Sequence, residues 1–140
     1  MLKLRIISVG KTKEKWLEEA FNEYEKRLKP VMHIECCWAK DSQQLLEWAQ
    51  KEQNIICLDP HGLLISSEKF ADVLEKAWVK GGSRLTIIIG GAEGLPELLK
   101  KQFQLISFSP MTFTHQITRL ILIEQLYRAF EIQKGTQYHK

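Results

Sequence analysis

"RLTIIIGGAEGLP", Arg84 to Pro96, is the stretch on which the fold reading turns. Leu85 to Ile89 is almost unbroken apolar chain, rich in β-branched residues, and it closes on paired glycines. Such a run leaves no side for water, so it reads as a strand buried on both faces, as in a parallel sheet covered by helices. Pro96 suits the first turn of a short helix running to about Gln102. Upstream, Ser66 or Ser67 caps a helix in which Phe70, Val73, Leu74, Ala77 and Trp78 fall at i, i+3, i+4, i+7 and i+8. That helix ends at Gly81 and Gly82.

The same alternation extends to both ends. "LKLRIISV" (Leu2–Val9) closes on Gly10 and reads as a first strand. Thr12 is the expected N-cap of a helix with Trp16, Leu17, Ala20, Phe21, Tyr24 and Leu28 on its apolar face, stopped by Pro30. "HIECCW" (His33–Trp38) is a second strand, and Asp41 or Ser42 caps a helix through Leu45, Leu46, Trp48 and Ala49. "NIICLD" is a short strand, after which Pro60, His61 and Gly62 turn the chain. "QLIS" is a fifth strand, and a long helix spans about His115 to Gln133. Residues 1–140 therefore read as one α/β domain, a mostly parallel sheet flanked by helices.

Composition is that of an ordinary globular chain, with 44% hydrophobic and 26% charged residues. No stretch approaches the roughly 18 apolar residues of a membrane span, and the opening segment lacks the apolar core of a secretory signal. A cytoplasmic protein with no membrane partner is expected. Cys36, Cys37 and Cys57 have no C-x-x-C spacing, and neighbours on a strand face opposite ways, so buried thiols are expected rather than disulfides or zinc. His33 and His61 have no metal-ligand spacing either, so no metal is expected. A net charge of +3 permits an anionic partner without demanding one.

Ligands in such sheets gather beyond the carboxyl ends of strands, which here follow Leu58, Ile89 and Ser107. Gly90, Gly91 and Gly94 allow close backbone approach, but the spacing is neither G-x-G-x-x-G nor a P-loop. "SFSPMTF" (Ser107–Phe113) suits a cup for a flat ring, although the residues alone slightly favour a capped connection with two residues tucked into the core. In the last helix Leu120, Leu122, Ile123, Leu126, Tyr127, Ala129 and Phe130 share one face, while Ile117, Ile121 and Ile132 lie among polar residues. Two apolar sides need two partner surfaces, and a second subunit is the expected one. Arg119 sits within the apolar face and in the first turns, where a cation opposes the helix dipole; such a double violation points to function or to a structural demand in equal measure. Lys11, Lys13 and Lys15 cluster after the first strand, in position to meet phosphate or simply water.

"IICLD" (Ile55–Asp59), "LTIIIGGAEGL" (Leu85–Leu95), "SFSPMTFTHQITRLILIEQLYRAF" (Ser107–Phe130) and the terminal "YHK" together resemble the ribosomal RNA large subunit methyltransferase H family, a branch of the SPOUT methyltransferases. The match runs through the chain in order and is strongest in the C-terminal half. Thr114 departs from a frequent proline, and the region from Cys37 to Asn54 is shorter than in several relatives. The resemblance implies a C-terminal trefoil knot, a homodimer, S-adenosylmethionine as methyl donor, and methylation of N3 of a pseudouridine in 23S rRNA of the ribosome, with no DNA partner. It also implies cofactor contacts at Leu58, Gly90, Phe108, Ser109, Pro110, Met111, Thr112 and Phe113. The catalytic candidates are His139 as proton acceptor, Tyr138 as a contact to the base, and Arg119 as a stabiliser of developing negative charge. The rival readings are a nonenzymatic ribosome-binding protein with the same fold and, weakened by the missing G-x-G-x-x-G, a nucleotide-dependent oxidoreductase.

The last residues, "GTQYHK", stand apart. A chain end is ordinarily frayed. Here Gly135 is expected to turn the chain out of the helix and carry Tyr138 and His139 toward a substrate pocket.

Overall fold

In the computed structural model, which describes residues 1–140, five strands alternate with five helices. They are β1 (Leu2–Val9), α1 (Lys15–Leu28), β2 (Met32–Ala39), α2 (Ser42–Ala49), β3 (Ile55–Leu64), α3 (Ser67–Lys80), β4 (Arg84–Ile89), α4 (Glu97–Gln102), β5 (Gln104–Ser107) and α5 (His115–Lys134). The strands form one sheet in the order β2-β1-β4-β3-β5, and every pairing is parallel.

Side chains alternate across the sheet with the period of two that a strand imposes. Leu4, Ile6, Ile56, Leu58, Leu85, Ile87 and Ile89 point to the face covered by α1, α3 and α5, where Leu28, Phe70, Leu74, Leu122 and Leu126 meet them. Ile7, Ile55, Cys57 and Ile88 point to the other face, against Leu45 and Ala49 of α2 and Leu99 of α4. Burying one such side chain fully contributes about 1.5–3 kcal/mol. From Leu85 to Ile89 the β4 run is buried on both faces and apolar except for Thr86, whose hydroxyl donates to Glu52 Oε1 at 2.6 Å, which confirms the reading of "RLTIIIG".

Local signals settle where the sequence left choices. Asp41, not Ser42, caps α2, its carboxylate accepting from Gln44 N at 2.8 Å. Ser66, not Ser67, caps α3 by accepting from Lys69 N at 3.1 Å. Gly135 takes φ 74° and closes α5 in the left-handed conformation, turning the chain as expected.

Three expectations fail. Thr12 does not cap α1, which starts two residues later without any side-chain cap, because the Thr12 hydroxyl is taken by Arg119. Trp16 does not join the core: it is 59% exposed, and Leu17 is the buried residue of that turn. The chain also does not leave the sheet at Pro60. Strand β3 continues to Leu64, with a register shift between Leu58 and Leu63 against β5. Gly62 permits this, since a Cβ there would stand 2.7 Å from the Leu105 carbonyl carbon.

Candidate functional site

The carboxyl ends of β3, β4 and β5 open into one cleft of about 560 Å³. Leu58, Asp59 and Pro60 come from β3, Gly90 to Ala92, Gly94 and Leu95 from the turn after β4, and Ser107 to Ser109 and Met111 to Thr114 from the loop after β5. His115, Gln116 and Thr118 of α5 complete the wall. The volume falls in the range of small-molecule sites.

The turn after β4 is tight enough to require glycine. A Cβ on Gly90 would lie 2.7 Å from the Gly94 carbonyl carbon and 2.8 Å from Leu95 N, and Gly94 itself has φ +84°. With no side chains in the way, the backbone edges of the turn face the cleft. The loop after β5 is held by its own hydroxyls. Ser107 Oγ donates to Ser109 O at 2.8 Å and accepts from Ser109 N at 3.2 Å, while Ser109 Oγ accepts from Met111 N at 3.0 Å. Phe108 packs edge-on against Phe70 with ring centroids 5.2 Å apart, anchoring the loop to α3. Apolar walls, exposed backbone groups and a preset loop suit a flat heterocycle with a polar tail.

Of the residues expected at a cofactor site, Leu58, Gly90, Phe108, Ser109, Met111, Thr112 and Phe113 line this cleft, whereas Pro110 is exposed and does not. The motif reading passed over Asp59, which is 5% exposed. Its Oδ1 accepts from His61 N at 2.8 Å, and Oδ2 lies 3.8 Å from Lys100 Nζ. An acid closing the apolar run Ile55–Leu58 is the sequence signal for it. His115 stands on the cleft wall with its basicity lowered, first by burial and then by the nearby charges of Arg119 and Lys13. No group of three His, Cys, Asp or Glu side chains is placed to hold a metal ion.

The other three expected residues lie outside the cleft. Arg119 is 1% exposed. Its Nε donates to Ser8 Oγ at 2.9 Å, Nη1 to Thr12 Oγ1 at 3.0 Å, and Nη2 to Val9 O at 2.6 Å and to Gly10 O. The guanidinium also sits 4.2 Å from the Trp38 ring centroid. With no carboxylate beside it, burial pulls its pKa down to about 10. Four of its five N–H groups are spent on the end of β1 and the loop after it, so the structural demand that its position suggested is visible, and Arg119 is not among the residues lining the cleft.

Tyr138 and His139 are packed against their own chain. The Tyr138 hydroxyl donates to Glu124 Oε2 at 2.8 Å, and its ring meets Tyr127 edge-on with centroids 4.8 Å apart. Burial, then the bond to Glu124, raises the Tyr138 phenol above its ordinary range. His139 lies 3.1 Å from both Arg128 Nη1 and Glu68 Oε1. The tail is therefore not frayed, but neither does it reach this cleft.

Comparison with known proteins gives the fold and site a family. A family model described as a predicted SPOUT methyltransferase matches residues 2–139. The chain belongs to the SPOUT methyltransferase family. It is 72% identical over 140 residues to the ribosomal RNA large subunit methyltransferase H of Protochlamydia amoebophila, with both chains covered completely. The protein of that name from Streptococcus thermophilus is 40% identical over 159 aligned positions, covering 99% of this chain and all of that one. Among solved structures, one concerned with 2-OH methylation of C/U34 on tRNA superposes with TM-score 0.51 at 11% identity, over 96% of this chain and 99% of that one. A probable methylase family protein from Haemophilus influenzae superposes with TM-score 0.53 at 14% identity, over 96% and 67%. At those identities the structures speak to the fold alone. A SPOUT methyltransferase is an enzyme that transfers methyl groups, so the nonenzymatic and oxidoreductase readings fall away.

Proposed function

We propose that this chain transfers a methyl group from S-adenosylmethionine to large-subunit ribosomal RNA, at N3 of a pseudouridine in 23S rRNA. The observation that carries the reading is the cleft, where seven of the eight expected cofactor residues converge from three strand ends. Apolar walls from Leu58, Leu95 and Phe108 beside the bare backbone of Gly90 and Gly91 fit an adenine ring. The two relatives named for rRNA methylation support the substrate. Bound in the cleft, S-adenosylmethionine supplies an electrophilic methyl group.

The chain's own contribution is positioning and exclusion of water. The Ser107–Ser109 hydrogen bonds fix the loop in advance, and Met111 and Phe113 offer apolar cover at the mouth. The target imide nitrogen must lose its proton, and His139 is assigned as acceptor with Tyr138 against the base. Because neither residue lines the cleft of its own chain, the tail is assigned to the cleft of a second copy. Exposed Leu63, Leu64 and Ile117, at 63%, 56% and 37%, supply apolar surface for the homodimer this needs. The same reading includes the trefoil-knotted path of the family and a cytoplasmic site of action on ribosomes. No helix here is long and apolar enough to cross a membrane.

Mass-spectrometric mapping of rRNA from a strain deleted for this chain, before and after its return, tests the function. One methyl group missing from a 23S pseudouridine in the deletion strain and regained on complementation is the expected result; identical rRNA in the two strains would refute it.

A further inference from the structure

The loop after β1 and the first residues of α1, "KTKEKW" (Lys11–Trp16), hold two features that the cleft does not use. Lys11, Lys13 and Lys15 are all exposed, with Glu14 the one acid inside the stretch. Lys11 and Lys13 have no carboxylate partner within ion-pair distance, while Lys15 reaches Glu19 only at 3.9 Å between largely exposed side chains, a pair worth little. Trp16 leaves 59% of its surface in water. A large exposed indole beside unpaired lysines is poor solubility design for a residue that merely starts a helix.

The loop is also held firmly in place. Arg119 fixes Val9, Gly10 and Thr12 from below, and Lys13 N donates to Gln116 Oε1 at 3.0 Å. Gly10, at φ +76°, turns the chain beside the His115 ring, with Nε2 at ordinary contact distance, 3.5 Å, from where a Cβ would stand. His115 and Gln116 are cleft-lining residues, so these contacts set the backbone of Gly10 and Lys13 beside the cleft wall, while the Lys11 side chain borders an adjoining hollow with Thr12 and Trp38. Flexible lysines that only solvate a surface do not need a buried arginine and four hydrogen bonds beneath them.

We infer that this loop is the docking surface for the RNA substrate, with backbone phosphates on Lys11 and Lys13 and an unpaired base stacked on Trp16. The inference rests on the RNA reading above and specifies where that RNA sits. Phosphate contacts fix position, and aromatic stacking holds a base displaced from its helix, which a methyl transfer to a ring nitrogen inside a base pair requires. Arg119 acts here as a positioning residue.

The test uses full-length chain and ribosomes purified from a strain lacking it, with binding measured across a potassium chloride series and methyl transfer measured alongside. Lys11→Gln with Lys13→Gln is expected to flatten the log–log salt slope by about 1.4–1.8, roughly 0.7–0.9 for each phosphate left without its lysine. Trp16→Ala is expected to raise KM about tenfold with kcat preserved, and Trp16→Phe to recover most of the loss. S-adenosylmethionine affinity by calorimetry should not move. An unchanged salt slope and KM would overturn the inference. So would conversion of Trp16→Ala to monomers in sedimentation, which would assign the indole to a subunit interface. A wild-type chain that binds ribosomes but transfers no methyl group would sink the proposed function and leave the docking surface to be judged on the binding curves; one that does not bind at all would sink both.

Discussion

Arg119 shows how much one side chain can settle. Its guanidinium reaches Ser8, Val9, Gly10 and Thr12, all more than a hundred residues away in the chain, and no buried side-chain polar atom is left without a partner. Replacing it with methionine keeps the volume and strands those acceptors, which cost about 1–3 kcal/mol each when buried and unmade. Some will recover water, so Arg119→Met is expected to cost about 3 kcal/mol and lower Tm by about 10 °C in a calorimetric scan. Arg119→Lys should recover little, because a single ammonium cannot span four acceptors arranged for a planar fork. Full stability in either variant would mean the loop holds itself. The cysteines are the opposite case. Burial pushes Cys36 and Cys57 up to about 12, so neither carries a thiolate at neutral pH, and their role is packing.

At the scale of the element, the turn from β4 into α4 is the part of the cleft wall that leaves least room for a side chain. Gly90→Ala would bring a methyl within 2.9 Å of three backbone atoms of Gly94 and Leu95, and backbone cannot step aside as a side chain can. The expected outcome is at least a tenfold loss of S-adenosylmethionine affinity in calorimetry, at about 1–3 kcal/mol of distortion, with the sheet intact by circular dichroism. Retained affinity would place the cofactor elsewhere. Helix α5 divides its labours along its length. Thr114 caps it by accepting from Ile117 N at 3.2 Å, its first turns wall the cleft and tie down the β1 loop, and its last turns hold the tail through Glu124 and Arg128.

For the whole molecule, the proposed function turns on whether the tail of one chain reaches the cleft of another. Tyr138 and His139 rest on α5 and α3 of their own chain, held by exposed or half-buried polar contacts that a partner surface can replace at small cost. Mixing a Gly90→Ala chain with one truncated before Tyr138 is therefore expected to restore part of the activity that neither homodimer has, since one cleft of each mixed dimer is complete. No recovery from two folded, co-purifying partners would count against a tail shared between subunits.

Strand and helix order, the buried parallel sheet and the three strand ends that bear the site were all legible from sequence, because each rests on local spacing: unbroken apolar runs, caps, glycines and prolines. The motif from Ser107 to Phe130 carried the family. What could not be read were the partners of long-range contacts. Thr12 looked like a helix cap until Arg119 claimed its hydroxyl, Trp16 shared the helical spacing of the core yet faces water, and Pro60 looked like a strand's end although β3 continues past it against β5. A side chain's neighbours across a hundred residues depend on how layers pack, and no periodicity along the chain encodes that packing.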